Sequence, residues 1–256
     1  LDPGCKVDTQ LVLVGTQGKG KSTALAALCP RREWFCDTQI DMQSKDRFAA
    51  LDGVWIYENS EMDLLRGAAL SRLKGYLTSQ VDRYRASYGR NAEDHRRRTV
   101  FVGSCNEREF VDDRTGMRRF MPLFVRHDGT MDVATILAER DQLWAEAVVA
   151  YRQGVPWHLG EKARVAMAEH SESYRIVSAW EEPIAEFIRD PERALLQSAA
   201  GFHVNDVMAH LDIPLERRHD TRLIMRATSI LSALGCEKRR PQREGLREWR
   251  WFRPQG

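Results

Sequence analysis

The run Gly15-Thr16-Gln17-Gly18-Lys19-Gly20-Lys21-Ser22, followed by Thr23, has the residue types and spacing to hold a polyphosphate. Four free positions separate the first glycine from Gly-Lys-Ser, which is the pattern of a phosphate-binding loop. Glycines let successive backbone N–H groups turn inward around an anion. Lys21 then reaches the β- and γ-phosphates, and the Ser22 hydroxyl holds Mg²⁺. ATP with Mg²⁺ is the ligand this chemistry expects. By ordinary residue frequencies, the pattern should arise by chance in a chain this long on the order of once in several hundred.

Hydrolysis needs a carboxylate at the end of a second strand, to hold the magnesium or polarise water. Gly53-Val54-Trp55-Ile56-Tyr57-Glu58 is an apolar run ending in such an acid. Asn59 occupies the place where a second acid usually follows, and Glu61 stands three residues beyond Glu58. The expected division gives Glu58 to Mg²⁺ and makes Glu61 the water-activating base, although an acid at a helix N-terminus also favours the dipole there. A third apolar run, Thr99 to Cys105, ends in Asn106, a polar amide suited to orienting water or sensing the γ-phosphate. Arg118 and Arg119 sit at a turn just before the apolar run Phe120 to Val125. From there an arginine can reach the triphosphate of a neighbouring subunit; the bland alternative is a basic hairpin turn.

The elements around these residues follow from pattern. Leu11-Val12-Leu13-Val14 reads as a buried strand, and Thr23 to Leu28 as the helix after the loop. Trp34 to Asp37 reads as a short strand, Gln43 to Leu51 and residues 64–81 as helices, and Asp132 to Arg152 as a long helix. Gly154-Val155-Pro156 breaks that helix and sets the expected boundary between a P-loop domain, residues 1–155, and a second domain, residues 156–256. In the second domain, Gly160 to Ser173, Pro183 to Arg189, Val204 to Leu211 and Asp220 to Leu234 read as helices. Glu237 to Arg253 reads as a two-stranded ribbon turning near Gly245. Helix, turn, helix and ribbon make a winged-helix outline.

Composition narrows the classes. Net charge is only +2 over 256 residues, so bulk charge does not announce a nucleic-acid partner. Yet 32 of the 39 basic residues are Arg, the better bidentate phosphate ligand. Two clusters stand out. Asp82 to Arg90 interleaves Arg83 and Arg85 with Tyr84 and Tyr88, and Arg96-Arg97-Arg98 follows. The ribbon carries Lys238, Arg239, Arg240, Arg243, Arg247, Arg250 and Arg253 against three acids. Both suit a DNA backbone; the bland alternatives are a solvated loop for the first and a protein-contact surface for the second. Five scattered cysteines without CxxC spacing point to reduced thiols in a cytosolic protein and to no zinc site. No apolar run reaches the ~20 residues of a membrane span. The chain begins at Leu1, which fits a piece of a longer polypeptide.

In order and spacing, the motifs resemble the ATPase domain of the virulence-associated protein E family, phage and mobile-element proteins similar to superfamily 3 helicases. The likeness rests on Gly15 to Thr23, on Trp55 to Glu58 with Glu61, and on Gln80 to Arg85 with Tyr88-Gly89. It also rests on Thr99 to Glu107 and on Asp113 to Pro122, which includes Gly116-Met117-Arg118-Arg119-Phe120. The resemblance implies an α/β fold: an AAA+-like αβα sandwich on a parallel sheet, followed by a small winged-helix-like domain. It implies Asn106 as sensor, Arg118 or Arg119 as finger, and a DNA-contacting hairpin led by Lys74 to Arg90. It further implies a homo-oligomeric ring such as a hexamer, single-stranded or forked DNA as partner, an upstream primase domain, and residence in the cytoplasm of a bacterial host. The expected function is an ATP-hydrolysing DNA helicase of a replication protein. The rivals are a non-processive scaffold or loader at an origin, a small-molecule kinase, and a regulator with a degenerate ATPase.

Overall fold

A computed structural model describes residues 2–41, 44, 47–65, 67–85, 89–111, 117–125, 129–192, 201–240 and 249–254. The chain divides into two compact units, Leu1–Ile176 and Val177–Gly256. The first contains a five-stranded sheet: β1 (Gln10–Val14), β2 (Phe35–Cys36), β3 (Ile56–Asn59), β6 (Val100–Cys105) and β7 (Phe120–Phe124). Its order is β2-β3-β6-β1-β7, and every pairing is parallel. Strand β1 lies between β6 and β7, with Leu11 opposite both Val102 and Met121.

Why these runs form a doubly covered sheet follows from the period of two along a strand. Val12 and Val14 pack with Tyr57, Phe101 and Phe120 against Leu70, Leu73 and Leu77 of helix α2 (Gly67–Leu77). Leu13 points the other way, joining Ile56 and Val102 against Leu25 of helix α1 (Lys21–Ala27). Both faces are therefore apolar and both are buried, giving an αβα sandwich. The long helix α3 (Val133–Arg152) adds to the α1 side, where Trp144 Nε1 donates to Leu28 O at 2.7 Å. No helix among the described residues is long and apolar enough to cross a membrane.

Helix α4 (Glu161–Glu172) belongs to this first unit, so the division falls at 176/177 rather than at the Gly154-Val155-Pro156 break. Burial decides it. Ser171 Oγ donates to Phe120 O at 3.1 Å, His170 Nε2 lies 3.2 Å from Pro122 O, and Tyr174 packs edge-on against Phe110. A glycine-proline break ends a helix without ending a core.

Of the expected helix Gln43 to Leu51, residues 43, 45 and 46 lie outside the described part; Ala49–Leu51 forms a 3₁₀ turn, and Arg47 O accepts from the Tyr76 hydroxyl at 3.2 Å. Helix α2 stops at Leu77: Thr78 Oγ1 takes Gly75 O at 2.8 Å, and Ser79 Oγ takes Val81 O at 2.8 Å. Side-chain hydroxyls that bond nearby carbonyls compete with the helix ladder. The polar stretch that follows is an antiparallel ribbon, β4 (Val81–Tyr84) with β5 (Glu93–Arg96). Residues 86–88, including Tyr88, lie outside the described part.

The second unit packs helix α5 (Glu181–Arg189) and helix α6 (Val204–His210) against helix α7 (Thr221–Ala233). Phe187, Phe202, Val207, Leu231 and Trp251 form its core. His203 and Asp206 make a capping box for α6, and Asp220 caps α7. The ribbon is short, β8 (Glu237–Arg239) with β9 (Arg250–Phe252), and Phe202 and Trp251 exchange both backbone hydrogen bonds beside it. Helix, turn, helix and ribbon make this unit winged-helix-like.

A buried polar relay crosses the α2 side of the sheet. Asn59 Nδ2 donates to Gln10 Oε1 at 3.0 Å, and Gln10 Nε2 donates to Met62 Sδ at 2.9 Å. A Cβ on Gly103 would overlap both Met62 Sδ and Gln10 Nε2. Gly103→Ala should therefore destabilise the first unit by about 1–3 kcal/mol through overpacking. Urea unfolding checks this; an unchanged midpoint would show that the relay yields freely.

Candidate nucleotide site

The loop leaves β1 and turns into α1 through Gly18 (φ 82) and Gly20 (φ 77), a left-handed region where glycine alone sits without strain. Backbone bonds fix it at both ends. Gly15 N–H donates to Cys105 O at 3.2 Å, and Lys19 O accepts from Met131 N–H at 2.9 Å. Lys21 reaches back over the loop. Its Nζ donates to Gly15 O at 2.5 Å, Thr16 O at 3.0 Å and Asn106 Oδ1 at 3.2 Å. Burial holds its pKa below the ordinary lysine value, while the carboxylates of Glu58 and Asp63 pull the other way.

Strand parity decides the roles along β3. Glu58, 1 % exposed, faces α1; its Oε1 accepts from Ser22 Oγ at 2.8 Å and Ser104 Oγ at 2.5 Å. Asn59 faces the other side, in the Gln10 relay. The position where a second acid usually stands is thus structural here. Glu58 Oε2 is buried with no hydrogen-bond partner among the described residues. A buried carboxylate oxygen is costly unless something compensates it. With the adjacent Ser22 hydroxyl, it offers the hard oxygen donors that a magnesium ion takes, so the residues present fit the ion.

Glu61 projects from a left-handed backbone (φ 52, ψ 44) that costs a non-glycine residue about 1–2 kcal/mol. It lines a cavity of about 260 Å³ together with Lys21, Ser22, Ser104 and Asn106. Strain of this kind gathers at working sites. Asp63 Oδ1 accepts from the Asn106 backbone N–H at 3.3 Å, fixing the end of β6 beside Lys21. Ser104 and Asp63 are the site residues that pattern reasoning passed over. A serine two residues before Asn106 shares a strand face with Val102, the residue in register with Glu58, so parity could have found the first. Nothing local marks Asp63.

No arginine stands among the described residues that line this cavity. Arg118 is exposed, and Arg119 is half-buried with Nε unpartnered among the described residues, both in the 3₁₀ turn Met117–Arg119 before β7. Residues 112–116 of that motif lie outside the described part.

The expected DNA contacts are scattered. Lys74 lies on α2, Arg83 pairs with Asp94 at 2.8 Å on the exposed face of the ribbon, and Arg85 is exposed at its end. The basic run Arg96-Arg97-Arg98 is not a uniform solvated face. Arg97 is buried against Asp82 and lies 4.4 Å from the Tyr76 ring centre, because a buried carboxylate needs its charge matched. In the second unit Arg239 pairs with Glu237, while Arg240 lies 4.8 Å from the ring centre of exposed Trp249. Arg243 lies outside the described residues.

A parallel sheet in this order, with a glycine loop between β1 and α1 and an acid on β3, defines the P-loop ATPase class of α/β fold. Within it, the chain belongs to the virulence-associated protein E-like domain family, whose model matches residues 1–176. Among solved structures it is similar to the apo C-terminal region of NrS-1, at 15 % identity and a TM-score of 0.46. That match covers 91 % of this chain and 55 % of the other, so this chain spans about half of the NrS-1 region. A second structure of the same region has 19 % identity and a TM-score of 0.44, with the same coverage. A mutant RuvB from Thermotoga maritima has 10 % identity and a TM-score of 0.34, covering 90 % of this chain and 83 % of that one. No curated protein sequence matches.

Burial pushes the Cys105 thiol beside Lys21 up to about 12 and the Cys236 thiol up to about 11, and it raises Cys29 as well. A raised thiol pKa keeps the unreactive protonated form at pH 8. Native protein should therefore release colour from a disulfide reagent at the half-buried Cys5 and Cys36 alone. The other three should react only on unfolding. Rapid modification of Cys105 in the native state would mean that the loop opens far more than its bonds indicate.

Proposed function

We propose that this chain is the ATP-hydrolysing DNA helicase or translocase domain of a phage or mobile-element replication protein. It would work as a ring whose ATP sites lie between subunits. The observation that carries the reading is a phosphate cavity complete in lysine, serine and carboxylate but lined by no arginine of its own among the described residues. Phosphoryl transfer leaves negative charge on the γ-phosphate oxygens, and a second cation supplied in trans offsets it.

In this reading the loop from Gly15 to Thr23 cradles the triphosphate with its backbone N–H groups. Lys21 exchanges its carbonyl partners Gly15 and Thr16 for phosphate oxygens. Magnesium, when bound at Ser22 and Glu58, neutralises charge on the phosphates. Glu61 accepts the proton of the attacking water, and Asn106, already bonded to Lys21, orients that water or senses the γ-phosphate. Arg118 or Arg119 of a neighbouring copy completes the cavity. Arg118 is the more exposed, and Arg119 holds an unsatisfied buried Nε, so each remains a candidate. DNA would run along the β4–β5 ribbon, with Lys74, Arg83 and Arg85 near it, and along the ribbon of the second unit, with Arg239, Arg240 and Arg243. A primase domain encoded upstream and a cytoplasmic setting in a bacterial host fit the same reading.

One observation favours a second reading, an ATP-dependent DNA-binding scaffold or loader. Asn59 turns away from the cavity, so water activation rests on Glu61 alone. If Glu61 does not serve, the site binds ATP and hydrolyses it slowly.

An ATPase assay with and without single-stranded DNA separates the two. Hydrolysis should rise with DNA, and Lys21→Ala should abolish it without unfolding the protein. Arg118→Ala or Arg119→Ala should lower turnover by about 10³-fold while nucleotide binding persists. Loss of nucleotide affinity with turnover otherwise intact would count against a finger. No stimulation by any DNA would favour the scaffold.

A further inference from the structure

A cavity of about 550 Å³, larger than the one at the phosphate loop, lies at the foot of the β4–β5 ribbon. It is bordered by Leu51 to Gly53, which precede β3, and by Thr99, which precedes β6. Parallel strands run away from it toward the loop, so the two cavities occupy opposite edges of the sheet. One wall is aromatic. Tyr84 and His95 stack with ring centres 4.2 Å apart, and Phe48 lies 6.3 Å beyond Tyr84 at 24°. The floor is rigid, because Arg97 is fixed to Asp82 and to Tyr76 O. Two exposed guanidinium groups, Arg96 and Arg98, stand at the rim beside the carboxylates Asp52 and Asp94. His95 Nε2 is buried with no partner among the described residues. Burial, with Asp52 and Asp82 nearby, raises the Tyr84 hydroxyl, which therefore keeps its proton to donate.

We propose that this cavity binds a nucleobase of single-stranded DNA, its ring against the Tyr84–His95 wall and its flanking phosphates on Arg96 and Arg98. The proposal rests on the reading of the chain as a DNA-acting ATPase and gives that reading a base contact. A planar π-face suits an aromatic wall, and stacking of this kind accepts any base. His95 Nε2 and the Asp52 carboxylate meet the polar edge of the ring. The acids at the rim exclude a free triphosphate, whose dense charge they would repel, while a strand carries one charge per phosphate.

The test compares a labelled oligothymidylate of about 12 nucleotides with an abasic strand of equal length, by fluorescence anisotropy at fixed salt. Wild type should bind the intact strand about tenfold more tightly. Tyr84→Leu with His95→Ala should bring the two within about twofold, whereas Tyr84→Phe keeps the preference. DNA-independent ATP hydrolysis, measured on each variant, should stay at the wild-type rate and certify the fold. Should the double variant fail to fold, quenching of a single 2-aminopurine in the strand by wild type and by Tyr84→Phe reads the same contact. Equal affinity for intact and abasic strands, a preference that survives in the double variant, or an unquenched probe overturns the pocket. DNA-stimulated hydrolysis without base preference removes the pocket alone; no binding of either strand removes the DNA-acting reading with it.

Discussion

A carboxylate almost sealed from solvent organises the first unit. At 1 % exposure the Glu58 carboxylate needs polar partners, and the surrounding elements supply them. Ser22 comes from the first turn of α1 and Ser104 from β6, so one side chain ties together the loop helix, the acid strand and the strand between them. Lys21 sits in the same low-dielectric space, bonded to Asn106 at the tip of β6. Remove the acid and three elements lose their common reference. The remaining oxygen, without a hydrogen-bond partner among the described residues, is where the balance stays open.

The same sheet separates work from support by parity alone. At the end of β3, Glu58 points to α1 and meets Ser22 after the loop, whereas Asn59 points to α2 and meets the core. Asn59 lies one residue beyond the acid and so ends in a relay with Gln10 and Met62, beneath a glycine that leaves it room. The relay offers Asn59 a neutral partner, Gln10, on the buried face, where an acid would need a matching charge.

Much of this was legible in the residues. The glycine loop was visible as a turn from strand to helix, and the apolar runs before Glu58 and Asn106 placed two strands of the sheet correctly. The winged-helix outline also followed from punctuation by Gly235, Pro214 and the alternating tryptophans. What was hidden depends on distant partners. Residues 82–97 look like a solvated basic loop until Asp82 finds Arg97, and polar composition cannot report a buried ion pair. Asp63 and Ser104 gain roles only through strands brought together by the fold. The Gly154-Val155-Pro156 break was visible, yet whether a helix beyond it returns to the core depends on contacts such as Ser171 to Phe120, which no local pattern carries.

The register of the central strand has a consequence for how the molecule is made. Leu11 has no strand partner until Val102 and Met121 have been synthesised, so the glycine loop is made before the strands that flank β1. Pairings so remote in sequence carry a large loop-closure cost and fold slowly. On the ribosome, the apolar segment Leu11 to Val14 must wait, exposed, while most of the first unit emerges. A chain interrupted before β6 would carry every residue of that loop and yet neither of the strands that flank β1.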